Sequence, residues 1–170
     1  MEVNERARNE LWSEVSGISD ELLNQNPVTN GWSMKQILEH LYLIETTFTK
    51  LIERQLESGK DVNVKNQPIE LTVDRGYKVK APEFAVPSDD YASLAALKEK
   101  LNTSHQALRS LFQRADPIQL QAKGIPHPAF GLLNLKQAFE FVGYHELRHI
   151  EQLKEVKEKL GLDKKNEYQE

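Results

Sequence analysis

The sequence predicts an all-α protein, a four-helix bundle with a long crossover between its second and third helices. Three observations carry that expectation. Apolar residues recur at spacings of three and four in four separate segments, capping signatures open the second and fourth of them, and Gly or Pro closes each. The stretch 60–88 between the second and third segments is also far longer than the roughly two to eight residues that join antiparallel neighbours in a bundle. Amphipathic helices bury their stripes only against one another, which makes the bundle the economical solution. The length of 170 residues suits a single domain spanning 1–170.

The first helix is read from Ala7, Leu11, Val15, Ile18 and Leu22, with Pro27 ending the pattern. In GWSMKQI, Ser33 is an N-cap, Gln36 completes a capping box and Trp32 can staple onto Ile37, so the second helix starts near Met34. Its stripe is Ile37, His40, Leu41, Ile44, Phe48 and Leu51, and Gly59 is expected to supply a left-handed stop. Pro68, Gly76, Pro82 and Pro87 mark 60–88 as a connection, with the β-prone piece IELTV a candidate for a small hairpin. The third helix carries Leu94, Leu97, Leu101, Leu108 and Phe112 and ends before Asp116-Pro117. After a second Pro- and Gly-rich connection, Asn134 and Gln137 repeat the capping device. The fourth helix then runs through Leu135, Ala138, Val142, Leu153, Val156 and Leu160 to Gly161. The polar tail GLDKKNEYQE reads as a frayed, solvated end.

Composition removes several function classes. The absence of cysteine excludes disulfides, thiolate metal ligands and thioredoxin-like chemistry, so any metal must be held by His, Asp or Glu. A net charge of −4 with scattered basic residues offers no stripe for a phosphate backbone, and nucleic acid is not an expected ligand. No apolar run approaches the ~20 residues of a membrane span, and MEVNERARNELW lacks the apolar stretch of a secretion signal, so a cytoplasmic location is expected.

Three histidines stand where a bundle normally places leucine. His145 follows Val142 by three, and His149 follows His145 by four. On the second helix His40 lies between Ile37 and Ile44 on the core face. Buried imidazoles without partners are costly, and one shared divalent metal would satisfy all three, leaving a further position open; hydrogen-bonded core histidines are the plainer alternative. His105, between Leu101 and Leu108, reads as a boundary or hydrogen-bonded core residue, with a fourth ligand as the alternative. His127 reads as a loop anchor between two prolines that could also reach the metal site.

The string HELRH at 145–149 also fits the zinc-protease pattern H-E-x-x-H. No histidine follows His149, however, the metzincin Gly and third His are missing, and the far acids Glu167 and Glu170 lie in the tail. Glu146, about 100° round the helix from His145, is expected to face a neighbouring groove or solvent.

GWSMKQILEHL, the HPAFG loop and FVGYHELRHIEQL together resemble the DinB/YfiT-like superfamily, in its DinB_2-type branch, over nearly the whole chain. The resemblance implies a four-helix bundle with a long crossover and a metal-binding triad of His40, His145 and His149, with Gln152 on the site's side of the helix. Relatives resemble thiol S-transferases that use bacillithiol, mycothiol or glutathione, or are described as metal-dependent hydrolases. The expectation is therefore a metal-dependent S-transferase or hydrolase acting on a small molecule, such as a low-molecular-weight thiol. Zinc is the first choice of cofactor and nickel the second, and a homodimer is the family-like assembly. A non-catalytic metal or small-ligand binding stress protein is the alternative. Leu11, Trp12 and Phe139 would then serve a dimer face, where the plainer reading makes them core.

Overall fold

Ser33 and Gln36 close a full capping box: the Ser33 hydroxyl accepts from the Gln36 amide at 3.1 Å and the Gln36 side chain accepts from the Ser33 amide at 2.9 Å. A 25-residue helix therefore begins at Met34, as the sequence predicts. The computed structural model describes residues 1–28 and 30–162. Its helices are α1 (Glu2–Val15), α2 (Asp20–Leu23), α3 (Met34–Ser58), α4 (Leu94–Arg114), α5 (Pro117–Ala122) and α6 (Leu135–Lys159). A hairpin of β1 (Gly124–His127) and β2 (Gly131–Asn134) leads directly into α6. The four long helices α1, α3, α4 and α6 form the bundle, in which α1 packs on α6 and α3 lies against both α4 and α6.

Several local expectations are corrected. The first helix is not continuous to Leu22: Ser16 turns extended and Gly17 adopts φ +74°, which stops α1, and Ser19 then caps the separate turn α2. Gly59 is extended at φ −70°, ψ 153°, so α3 ends without a left-handed residue, whereas Gly161 does adopt one at φ +72°. Leu51 is exposed, and the buried position beside it is Ile52. The β-prone IELTV forms a short 3-10 turn, Ile69–Val73, packed on α6, and a second lies at Glu83–Ala85. The hairpin falls instead in the second connection, where His127 pairs with Gly131 and the turn glycine has φ +78°. The tail from 163, with Glu167 and Glu170, lies outside the described residues.

The core is divided into two apolar halves. One gathers Ile44, Phe48, Ile52, Leu108, Leu111, Leu135, Phe139 and Val142; the other gathers Leu11, Val15, Met34, Ile37, Leu41, Leu97, Leu101, Ile150 and Leu153. Leu11 and Phe139 are fully buried core, and Trp12 is partly buried against the second half. Between the halves, at the middle of every long helix, lie polar side chains.

The crossover is fastened at intervals. Gln137 does not return to the cap of its own helix; its amide exchanges hydrogen bonds with the backbone of Gln67, at 2.7 and 2.8 Å. Asn134 still caps α6 by accepting from the Gln137 amide at 2.8 Å. Farther along, Arg148 donates to the carbonyls of Thr72, Asp74 and Tyr77, and buried Lys35 donates to the Ser88 carbonyl at 3.0 Å.

Candidate metal centre

His40 projects from α3, and His145 and His149 from successive turns of α6. Their Nε2 atoms meet: His40 and His149 stand 3.2 and 3.1 Å from His145 Nε2. One ligand atom from each residue lies within 4.8 Å of the others, and this is the group of potential metal ligands found among the described residues. The structure thus brings together the three histidines singled out from the sequence.

The outer nitrogens fix the proton positions. His40 Nδ1 donates to the Ala85 carbonyl at 2.7 Å, and His149 Nδ1 donates to Gln152 Oε1 at 2.7 Å. Each Nε2 then carries a lone pair directed at the third ring. Burial drives all three rings toward the neutral form. It lowers His40 against the opposing Ala85 hydrogen bond, takes His149 down to about 3 with help from the His40 charge, and holds His145 well below its ordinary value, reinforced by its two partners.

These donors fit a cation. His145 Nδ1 is buried and has no partner among the described residues, so no hydrogen bond there dictates which nitrogen of this ring carries the proton, and Nε2 is available as a ligand. A single cation accepts all three Nε2 lone pairs. The 3.1–3.2 Å separations of His145 Nε2 from the other two nitrogens are also compatible with each member of those pairs lying about 2.0–2.1 Å from a shared ion. Orienting partners on the remote nitrogens, as His40 and His149 have, are the usual outer layer of such centres.

The other histidines lie elsewhere. His105 belongs to the core: Nδ1 is 3.2 Å from Glu45 and Nε2 3.2 Å from Glu5. His127 anchors its hairpin by accepting the Ala129 amide at 3.1 Å, and its ring meets Phe141 edge-on at 4.4 Å. Phe141 in turn separates it from His145, with ring centroids 5.7 Å apart.

Glu146 corrects an expectation. It faces neither groove nor solvent, being 3% exposed and 2.7 Å from Arg8 Nε. Arg8 also donates to the Leu101 carbonyl at 2.8 Å and pairs with Glu45 at 3.0 Å; Glu45 additionally accepts from the Ser104 hydroxyl at 2.5 Å. Burial raises the Glu146 carboxyl to about 7 against the pull of Arg8, with Glu45 adding to the rise. A carboxyl held by Arg8 in this way is not placed as the water-activating Glu of a zinc protease, which agrees with rejecting that reading of HELRH.

Sequence reasoning missed this network, although the signal was present. Asn4, Arg8, Leu11 and Val15 share one stripe, as do Leu41, Glu45, Phe48 and Ile52, and Val142, Glu146, Ile150 and Leu153.

A four-helix bundle with inward imidazoles from two of its helices defines a class of bundle proteins with a candidate metal centre. Comparison with known proteins makes the assignment specific. The DinB superfamily model matches residues 4–153, and the chain belongs to the DinB superfamily. It is 34% identical over 160 residues to the YuaE protein of Bacillus subtilis (strain 168), covering 94% of this chain and 98% of that protein. Among solved structures it is similar to TT2238, a four-helix bundle protein, with a TM-score of 0.62 and 19% identity over 91% of this chain and 94% of that one. It is also similar to YfiT from Bacillus subtilis, described as a probable metal-dependent hydrolase with an unusual four-helix bundle topology. That match has a TM-score of 0.63 and 16% identity over 94% of this chain and 85% of that one. At these identities the two structures speak to the fold.

Proposed function

We propose that this chain is a metal-dependent enzyme acting on a small molecule, either a thiol S-transferase or a hydrolase, with a divalent cation held by His40, His145 and His149. The observation that carries the reading is the approach of His40 Nε2 and His149 Nε2 to within 3.2 and 3.1 Å of His145 Nε2, while the remote nitrogens of His40 and His149 donate to fixed acceptors. When bound, such a cation supplies Lewis acidity that lowers the pKa of a coordinated water or thiol. Zinc is the first choice and nickel the second, since a set of three imidazoles suits both.

The chain's own residues then have definite tasks. Ala85 and Gln152 hold the rings of His40 and His149 and keep a proton on each remote nitrogen. Phe48 and Phe141, stacked at 5.1 Å, keep the neighbouring interior apolar. The nucleophile in this reading is water or a low-molecular-weight thiol, so the protein needs none of its own, which agrees with the absence of cysteine. The family resemblance and the name given to YfiT support this reading.

The test is elemental analysis of untagged protein, followed by turnover of a thiol panel with a model electrophile and of activated esters without thiol. One divalent ion per chain and turnover lost in His145→Ala are expected. Tight metal binding with no turnover on either panel would favour a non-catalytic binding module, and a folded protein that binds no ion would remove the proposal altogether.

A further inference from the structure

The geometry points to Trp32 as a positioning residue of the metal centre, an indole that covers the His40 and His149 rings and holds them in ligating orientation. Its ring centroid is 4.9 Å from that of His40 and 6.3 Å from that of His149, the latter near-parallel at 26°. An ordinary hydrophobic staple would pack only along its own helix, on Ile37. Trp32 does belong to the apolar half that contains Ile37, but its ring also spans ligands from two different helices.

The backbone that presents this indole is fixed on both sides. Asn26 donates to the Gly31 carbonyl at 2.7 Å and to Gln36 Oε1 at 3.2 Å. Gln36 accepts the Ser33 amide and donates to Asp89 Oδ1 at 3.1 Å, which ties the end of the crossover to the same corner. The step preceding Trp32 is also tight, because a Cβ on Gly31 would lie 2.8 Å from Val28 Cγ2. Rotation of the His40 or His149 ring is therefore restrained at two points: Nδ1 by its hydrogen bond, and the ring by Trp32, which lies tilted at 48° to His40 and near-parallel to His149. Among the described residues His145 has neither an Nδ1 partner nor the indole contact, and it relies on the other two rings and Phe141.

This inference rests on the metal reading above, and its test separates the two. Cobalt(II) alone is the probe, titrated into the metal-free full chain and followed by its d–d absorption, in wild type, Trp32→Leu and Trp32→Phe. Leucine keeps an apolar staple but no ring, and phenylalanine keeps a ring, so a purely structural role predicts that the two variants behave alike. The expected result is a loss of cobalt affinity of about tenfold or more in Trp32→Leu with largely retained affinity in Trp32→Phe, the size known for outer partners of metal ligands. The d–d bands of Trp32→Leu should also weaken as the coordination number rises. Urea midpoints of the metal-free proteins establish that both variants fold; should Trp32→Leu not fold, Trp32→Met takes its place. Equal affinities and spectra in wild type and the ring-less variant would overturn the role of Trp32 and leave the metal reading intact. Absence of cobalt binding in folded wild type would overturn both.

Discussion

Glu45 shows what one buried carboxylate does to the pH dependence of this fold. Burial alone pushes its carboxyl up, but the hydrogen bond from His105, the Arg8 charge and the Ser104 hydroxyl together outweigh burial and hold it below the usual carboxylate range. A group whose folded pKa is depressed contributes stability that is present above its unfolded value, about 4 to 4.5, and is lost as pH falls through the lower folded value. Urea unfolding midpoints between pH 7 and pH 3 should therefore fall more steeply in wild type than in Glu45→Gln. The variant should start lower at pH 7 and show the flatter curve; parallel curves would mean that Glu45 contributes no such dependence. At this scale the histidines were legible because they interrupt stripes of leucine and valine. Glu146 was misread because the helical angle was measured only from His145. Measured from Val142, four residues earlier, the same helix places Glu146 inside, and Arg8 supplies the charge that makes this tolerable.

At the scale of elements, the crossing of α1 and α6 depends on a residue with no side chain. A Cβ on Gly143 would come 2.9 Å from the Asn4 amide nitrogen and 3.0 Å from its Cα, so α1 itself would have to move. Gly143→Ala gains about 1 kcal/mol of helix propensity, yet overpacking of this kind costs about 1–3 kcal/mol. A net loss of stability is expected, read as a lower urea midpoint, and a raised midpoint would show that α1 can yield. The helices were legible where a cap and a stripe agreed, as at Ser33 with Gln36, whereas the Ser93 cap of α4, whose hydroxyl accepts from the Ala96 amide, emerged only from the structure. Legibility failed where tertiary partners redirected a local signal. IELTV became a 3-10 turn because it packs on α6, with Ile69 buried, and Gln137 left its expected capping role for the backbone of Gln67. The break at Gly17 was hidden for another reason: the apolar period continues past it to Ile18 and Leu22, so stripe spacing alone showed no interruption.

Across the whole molecule, the polar side chains form one layer between the two apolar halves, and Arg8 is its hub. From α1 it reaches Glu45 on α3, the Leu101 carbonyl on α4 and Glu146 on α6, tying the four long helices at a common level. The imidazole cluster lies along the same stretch of α3 and α6, so the register that aligns this layer is also the register that brings His40 to His145. Removing the hub alone, as in Arg8→Met, leaves two buried carboxylates without their cation and should cost about 3–5 kcal/mol. Replacing the three charged groups together, as Arg8→Met with Glu45→Leu and Glu146→Leu, should restore most of that stability, because an apolar layer of similar volume is often as stable as a buried ion network. Register is a separate quantity from stability, since two leucine-lined halves joined by more leucine no longer specify one sliding position of α6 against α3. The triple variant is accordingly expected to recover its urea midpoint while binding cobalt more weakly than wild type. If midpoint and cobalt affinity both return to wild-type values, the Arg8 layer does not set the alignment of the metal centre, and the packing of the two apolar halves fixes it unaided.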